Sequence, residues 1–589
     1  MRLDMDAVDN DFSKTTKLIR WIGGSFCFIG YALISGFLTG AAWVWPQYAL
    51  LGIPGLAFFL HGQLLQPKLR WRILHGLLTG YVTFSVATYW MIWTVENTVQ
   101  ITSLQAWLSA HAIHMVHGSM FACFAILGWL SEKKLPHGWF LWPFLFAVIE
   151  TFWPSLFPFR QGCLLHSVPP LIQVVSIFGI SAATVHIIAL SGLFPLVLDG
   201  FVANKKTERL NPKACRTAIL FVLVMTLGSF GWGAYRCHQI SNAEQNYSGS
   251  QLSVLAIQND TCYATYHVDL MSHSREANED CDLIVWPECT LGHFDKGLTS
   301  FADIDQLYDL GYEVGFRSFR PLPEPKCHLL AAGYSSIRKP NTGITLADFS
   351  DDPPEHELES KYVTAYLIDP TEKVIGVHDK VELMAGGEYM PAKWFFGQGA
   401  RCLSLLASIG QSQKLETADE ALVEISDFEE DPSHSLHPLS PGDDPIPIGV
   451  VQGVSIGTVL CCEDMYPSLS RTLTLDGADL LICLANGTCF NSESALNQHY
   501  VIAMFRAIEN NRYFLRCGSR GVTALVNPAG TELEKLKCLE NDQMTIQIPG
   551  DKRAMSFFTR FGSWPLYCGF FAAYLLFWKT CSRRDESSP

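Results

Sequence analysis

The chain has 589 residues, with 42 basic against 57 acidic side chains, a net charge of −15, 49% hydrophobic residues and 17% charged ones. A mean hydropathy of +0.16 over that length argues against disorder and against a purely soluble protein. An acidic pI near 5.6 argues against a nucleic-acid partner, because such recognition rests on neutralising phosphates.

Seven apolar stretches precede residue 237, at about 18–35, 43–61, 73–94, 105–130, 139–157, 171–198 and 218–235, and an eighth lies at 562–578. Each approaches the roughly 17–25 residues that a helix needs to cross the hydrocarbon core. The first follows a polar lead of about twenty residues and no small-residue cleavage site follows it, so it reads as an anchor rather than a signal peptide. Seventeen Lys and Arg residues fall on one side of the resulting topology, from Arg2 and Lys14 through Lys68, Lys133 and Lys205 to Arg584, against Arg160 in the short loops opposite. The positive-inside rule then places both termini in the cytoplasm, and an odd number of spans leaves the polar middle outside it. The expected organisation is a seven-helix membrane domain over 1–236, an extracytoplasmic domain over 237–561, and an eighth membrane helix with a cytoplasmic tail over 562–589. Within the membrane Glu150 is costly to bury and is a functional candidate by default, a pairing role in the bundle being the alternative. His111, His114 and His117 suggest helix packing and hydrogen bonding rather than a metal, because the third lies off the face shared by the first two.

The middle segment alternates short β-rich runs, at 252–257, 282–286, 328–333, 365–368, 373–377, 454–460, 478–484 and 522–526, with helical patterns such as 498–510. That alternation predicts α/β layering. Two acidic insertions interrupt it: 348–360 holds six acids, and 416–444 holds ten with no Lys or Arg, and both read as solvated loops. Twelve of the 18 cysteines lie in this segment without regular spacing or a metal pattern, so scattered core cysteines are expected and structural zinc is not.

Three strand ends carry chemistry. The run CDLIVWPE ends on Glu288, KVIGVHDK ends on Lys380 with Glu388 eight residues on, and VSIGTVLCCEDMYP ends on Cys461, Cys462 and Glu463. Active sites of α/β folds assemble at such ends. A thiol nucleophile, a carboxylate to take its proton and an ammonium to stabilise an oxyanion form a working set. Each residue alone has a plain explanation: a Cys after a strand is usually a buried small hydrophobe, Glu288 a loop carboxylate, Lys380 a surface charge. Their joint occurrence in this order favours the site.

These residues resemble the Glu-Lys-Cys triad of the nitrilase-type carbon–nitrogen hydrolases, and the whole chain resembles the apolipoprotein N-acyltransferases, the membrane-embedded members of that superfamily. The matching pieces are WPE (286–288), DKVELMAGGEYMP (379–391), LCCED (460–464), Gln498 with His499, RAIENNRYFLR (506–516), GVTALVNPAG (521–530) and FFTRFGSWP (557–565). The chain departs from the family at Ala385 and Gly386, at Cys462 where relatives carry Tyr, and at Asn486 to Phe490, where the usual acid and indole are replaced by Gly487 and Cys489. These departures leave the triad intact, and the resemblance implies that they alter the shape of the acyl pocket. The resemblance implies a bundle of eight membrane helices carrying a periplasmic αββα sandwich in the inner membrane. It implies acyl transfer from phospholipid, through a thioester on Cys461, to the α-amine of diacylglyceryl-modified apolipoproteins. Glu288 would be the general base, Lys380 the oxyanion stabiliser, and Glu388 and Glu463 supports that orient Lys380 and shape the pocket, with no metal or organic cofactor. The rival readings are a membrane-tethered amidase of the same superfamily and a catalytically inactive lipoprotein-binding envelope protein.

Overall fold

The computed structural model describes residues 28–99, 101–202, 210–260, 274, 281–291, 293–295, 327–338, 358–371, 373–384, 439–443 and 445–586. Glu388, Ala385, Gly386 and most of both acidic insertions lie outside the described residues.

Among the described residues, four helices are long and apolar enough to cross a bilayer: Pro46–Leu65, Ser103–Lys134, Ile180–Phe201 and Pro212–Gln245. Phe28–Val44, Gly138–Phe152 and Pro169–Phe178 are apolar but shorter, and helices Leu69–Ala87 and Trp564–Glu586 occupy two further expected stretches. In the helical half, α1 is Phe28–Val44, α2 Gly52–Leu65, α3 Leu69–Ala87, α4 Met91–Val99, α5 Ser103–Lys134, α6 Trp142–Phe152, α7 Ile180–Val197 and α8 Pro212–Gln245. Small residues set the closest approach in this half. A Cβ on Gly80 of α3 would stand 2.1 Å from the carbonyl oxygen of Gly118 on α5, so the two backbones pack directly on each other. Most of α8 has no protein cover: only 17% of its apolar window is buried, and Leu220, Val224, Leu227 and Tyr235 are exposed along it.

The stretch expected as one helix over 171–198 is broken. Two short turns, Pro169–Ile172 and Val175–Phe178, precede α7, and Gly179 between them and α7 has φ +75°, a conformation that costs glycine little. The cause lies far along the chain. The Ile180 N–H at the start of α7 donates to the Glu509 carboxylate at 2.9 Å, an anion at a helix N-terminus, and the Phe558 ring packs where a Gly179 side chain would stand. The three histidines of α5 hydrogen-bond within the bundle: His111 to the Tyr81 hydroxyl (3.0 Å), His114 to the Thr88 carbonyl (3.3 Å), and His117 to the Ile113 carbonyl and the Leu156 N–H (2.9 and 3.1 Å). The Glu150 carboxylate accepts from the Gln161 N–H and the Thr184 hydroxyl, each at 2.7 Å.

The other half is two sheets packed face to face. The seven-stranded first sheet runs β13-β1-β2-β4-β5-β6, with β3 also on β4. Here β1 is Gln251–Gln258, β2 Leu283–Val285, β3 His293–Asp295, β4 His328–Arg338, β5 Leu358–Ile368, β6 Val374–Asp379 and β13 Asp542–Pro549. The six-stranded second sheet runs β12-β11-β10-β9-β8-β7, with β7 Gly449–Val451, β8 Val454–Leu460, β9 Leu480–Asn486, β10 Tyr513–Ser519, β11 Ala524–Val526 and β12 Glu532–Lys535. Strands β1, β2 and β4 are mutually parallel neighbours, as are β8, β9 and β10. Val254, Leu283 and Leu330 of the first sheet share one buried core with Ile456, Ile482 and Leu515 of the second.

The outer face of the second sheet meets the helical half. Between them lie α9 Pro467–Leu475, α10 Glu493–Ala503 and α11 Phe505–Asn510. A single apolar cluster runs from Phe59 and Phe121 in the bundle through Phe490 and Phe505 to Cys483 and Phe514 in the sheet. Buried amides fasten this interface. Gln498 of α10 donates to the Trp43 and Ala87 carbonyls (3.1 and 2.8 Å) and accepts from the Trp90 indole (3.1 Å). Each leaves a backbone or side-chain group satisfied that would be costly to bury alone.

Candidate active site

Glu288, Lys380 and Cys461 each follow the C-terminal end of a strand, β2, β6 and β8 respectively. The Glu288 loop is pinned to β4: the Trp286 N–H donates to Leu330 and the Thr290 and Leu291 N–H groups both donate to Ala332, at 2.9, 3.0 and 3.0 Å. Pro287 stops β2, and its carbonyl accepts the Thr290 hydroxyl at 2.7 Å. Lys380 is held on both sides of its peptide, its N–H on Val363 of β5 and its carbonyl on the Gly442 N–H, each at 2.8 Å. From these fixed backbones the two side chains meet: Lys380 Nζ donates to Glu288 Oε1 at 3.0 Å, with 0% and 4% of their side chains exposed. The surface charge that Lys380 suggests in isolation is in fact a fully buried ammonium. Tyr334 stands beside this pair; the Cys289 thiol, burial and the nearby Glu288 carboxylate push its hydroxyl upward.

Cys461 opens a short 3-10 turn, Cys461–Met465, in which all five residues are buried. Its φ is +46°, the left-handed region, which costs a residue with a side chain roughly 1–3 kcal/mol and persists only where the surroundings hold it. Its thiol donates to the Asn486 carbonyl at the end of β9, at 3.5 Å. The adjacent Cys462 faces elsewhere, its thiol on the Glu382 carbonyl at 3.4 Å, and belongs to the apolar cluster shared with the helices.

Glu463 ties the turn to the Lys380 segment. One carboxylate oxygen accepts the Val381 and Glu382 N–H groups (2.6 and 3.1 Å), and the other accepts the Leu460 N–H and His378 Nε2 (2.7 and 3.2 Å). Burial alone would raise this carboxyl, but the His378 contact, the Leu460 N–H and the Lys380 ammonium together hold it below its ordinary value. It is therefore an anionic staple between the thiol's turn and the backbone that carries Lys380. Glu382 next to it is pushed up, by burial and by the Glu463 charge.

Sequence reasoning gave no role to four further residues at this place. Asp464 receives hydrogen bonds from His499, Arg516 and Cys483, and Cys483 also faces the Cys461 carbonyl at 3.7 Å. His499 and Arg516 stand in recognisable motif pieces, but only the fold brings them behind the Cys461 turn. At Gly487, a Cβ would meet a Leu496 methyl at 2.6 Å, so leucine fills the space into which a larger residue would project. Phe490 closes the same loop by packing edge-on against Trp90 and Phe157. Beyond Asn491 the loop borders an open cavity of about 890 Å³ between the two halves, lined by Trp45, Tyr89, Trp93, Glu96 and Glu493 among others.

Two family profiles match the chain: "Apolipoprotein N-acyltransferase N-terminal domain" over residues 35–193 and "Carbon-nitrogen hydrolase" over residues 257–549. Among curated relatives, the apolipoprotein N-acyltransferase of Bdellovibrio bacteriovorus is 24% identical, over 91% of this chain and 90% of its own. That of Geobacter metallireducens is 23% identical, over 85% of each. Among solved structures, an amidase from Nesterenkonia sp. aligns over 55% of this chain and 98% of its own, at 16% identity and a TM-score of 0.33. With one profile on the helices, the other on the two sheets, and relatives matched nearly from end to end, the chain belongs to the apolipoprotein N-acyltransferase family, within the nitrilase-type carbon–nitrogen hydrolases.

Proposed function

We propose that this protein is an acyltransferase of lipoprotein maturation. It moves an acyl chain from a phospholipid, through a thioester on Cys461, to the α-amino group of the diacylglyceryl-modified N-terminal cysteine of apolipoproteins. The observation that carries the reading is the buried Glu288–Lys380 pair beside the Cys461 turn, on a chain whose helical half matches the acyltransferase-specific profile. Membrane helices far in excess of an anchor suit two substrates that both reside in lipid. The open cavity between the halves, bordering the loop that receives the Cys461 thiol, suits their entry from the bilayer side.

In the first half-reaction Glu288 takes the thiol proton and the Cys461 sulfur attacks the phospholipid ester carbonyl. Lys380 and the N–H groups of the Cys461–Met465 turn stabilise the tetrahedral oxyanion. Collapse of this intermediate gives the thioester and a lysophospholipid, whose leaving oxygen recovers the proton from Glu288. In the second, the lipoprotein amine attacks the thioester, Glu288 takes its proton, and collapse releases the amide and the Cys461 thiol. Glu463 holds the turn against the Lys380 segment, and Glu388 joins it in orienting Lys380. No cofactor enters either step.

The matching topology is seven crossings over 1–236, the catalytic domain 237–561 in the periplasm, and an eighth crossing in 562–589, with both termini on the cytoplasmic side of the inner membrane. Intact-mass analysis of protein extracted from its membrane tests the chemistry: an acyl adduct on Cys461 is expected, and its absence together with hydrolysis of small amides would favour an amidase. Reporter fusions test the topology: those after 240 and at 430 should read external, and those after 66, 134, 208 and 584 cytoplasmic. A cytoplasmic signal at 430 would overturn both the crossing count and the lipoprotein substrate.

A further inference from the structure

Two consecutive acids leave the nucleophile turn in different directions, and the proposed chemistry uses only one of them. Glu463 reaches the Lys380 segment of the first sheet. Asp464, fully buried, reaches back into the second sheet and its covering helix. Its Oδ1 accepts from His499 Nε2 of α10 at 2.7 Å, and its Oδ2 accepts from Arg516 Nε of β10 at 3.0 Å and from the Cys483 thiol of β9 at 3.2 Å.

The hydrogens of this cluster can be assigned by exclusion. Arginine has only donors, and Arg516 Nη2 lies 3.3 Å from His499 Nδ1, so that ring nitrogen accepts and Nε2 carries the proton given to Asp464. Arg516 also donates from Nη1 to the Val522 carbonyl at 3.0 Å. Burial works to raise the Asp464 carboxyl, but His499 and Arg516 hold it below its ordinary value, while burial and the Asp464 charge keep Cys483 a thiol. That thiol, whose hydrogen goes to Asp464, also lies 3.7 Å from the Cys461 carbonyl and so packs the cluster against the reacting residue.

A left-handed Cys461 must be held from outside. β8 delivers the turn from the second sheet, and Glu463 ties it to the Lys380 segment that follows the first, so without Asp464 no side chain of the turn grips β9, β10 or α10. The Asp464 side chain adds this second grip, on β9, β10 and α10, and so fixes where the N–H groups after Cys461 point, the groups placed around the oxyanion. We propose that Asp464, His499 and Arg516, linked through Cys483, form a positioning cluster that fixes the Cys461 turn for acyl transfer. None of the four touches the reacting atoms. The inference rests on the reading that Cys461 carries the acyl group.

The test uses the full-length protein in detergent micelles with a diacyl phospholipid as acyl donor. It follows thioester formation on Cys461, alkylation of Cys461 by iodoacetamide across pH, and thermal melting, in Asp464→Asn, Cys483→Ala and Cys483→Ser. Asp464→Asn is expected to lower the acylation kcat by about tenfold or more with donor KM nearly unchanged, since misplacement by even an ångström is that costly. Cys483→Ala should lower it by a smaller factor without a lower melting temperature, and Cys483→Ser, which keeps a donor, should recover the rate. Acylation at the parent rate in both Asp464→Asn and Cys483→Ala would overturn the proposal, whatever happens to melting. If Asp464→Asn fails to fold, the alanine and serine variants of Cys483 decide: equal rates reject the cluster, and rescue by serine supports it. If the parent protein takes no acyl chain from phospholipid, the acyl-transfer reading fails, and the Cys461 alkylation profiles still judge the cluster. Altered profiles in the variants support it and coincident ones reject it.

Discussion

Glu288 and Lys380, at strand ends of the first sheet, meet as opposite charges 3.0 Å apart with almost no solvent. Cys461, at a strand end of the second, is set instead by its backbone, with φ +46° and a turn gripped through Glu463 and Asp464. The two sides of the site thus depend on different physics. A buried ion pair is held by mutual attraction, and losing one member strands the other charge. A strained turn is held by its attachments, and its own side chain can change with little effect on the frame.

The largest expected effect is on the turn side. Cys461→Ala removes the sulfur without disturbing Glu463 or Asp464, so the acyl adduct and all transfer should vanish while melting stays near that of the parent. An adduct persisting in this variant by intact mass would show that the nucleophile lies elsewhere.

On the charged side, chemistry and stability should fall together. Glu288→Gln keeps the shape of the side chain but removes its basicity, so thioester formation should be lost. The Lys380 ammonium, left buried without its anion, should also lower stability, by about 3–5 kcal/mol for a broken buried pair. Normal accumulation of acyl-enzyme in this variant would rule out Glu288 as the base of the first step.

Lys380→Met should lower turnover by roughly 10²-fold or more, the scale of losing one oxyanion stabiliser, with a comparable loss of stability. The double variant Glu288→Gln/Lys380→Met sharpens the contrast. With both charges gone it should regain most of the melting temperature lost by either single change, yet recover no activity. Additive losses of stability in the double variant would mean that the 3.0 Å contact contributes little.

The strand ends carrying Glu288, Lys380 and Cys461 were legible in the sequence because each combines a run of β-formers with an abrupt stop, Pro287, the polar Asp379 with Lys380, or the Cys461–Glu463 cluster. Local signals of that kind do not reveal which distant groups complete them. β10 was not legible because Arg512 before it and Arg516 within it break the apolar run, and Arg516 is buried because Asp464, His499 and the Val522 carbonyl await it. β13 did show alternation, with Met544, Ile546 and Ile548 inward, but its polar partners masked a weak signal. Hydropathy over 171–198 suggested one helix, and the break at Gly179 depends on Glu509 and Phe558, more than 300 residues on. For Glu463, the resemblance implied a support that orients Lys380 and shapes the pocket. Its hydrogen bonds go to the backbone around Lys380 and to His378, a distinction that spacing alone does not make.

The smallest expected effect separates the adjacent thiols. Cys462 shares the turn, yet its side chain leaves the strand end, donates to the Glu382 carbonyl at 3.4 Å and packs in the apolar cluster that continues into the helices. Cys462→Ala removes one weak thiol hydrogen bond and a small buried volume, at about 1 kcal/mol. The peptide N–H of residue 462, which follows Cys461, is unchanged. Acyl adduct and transfer should therefore persist within a few-fold of the parent, with any change appearing in the preferred chain length, since this side chain packs in the apolar cluster shared with the helices. A count of two residues on from each thiol points the same way. Counted from Cys461 it reaches Glu463, which grips the Lys380 segment, whereas counted from Cys462 it reaches Asp464, which faces away into the second sheet. Peptide mass spectrometry of the trapped thioester decides the matter, and an acyl group mapped to Cys462 would reverse the roles of the two thiols and, with them, of the two acids that follow.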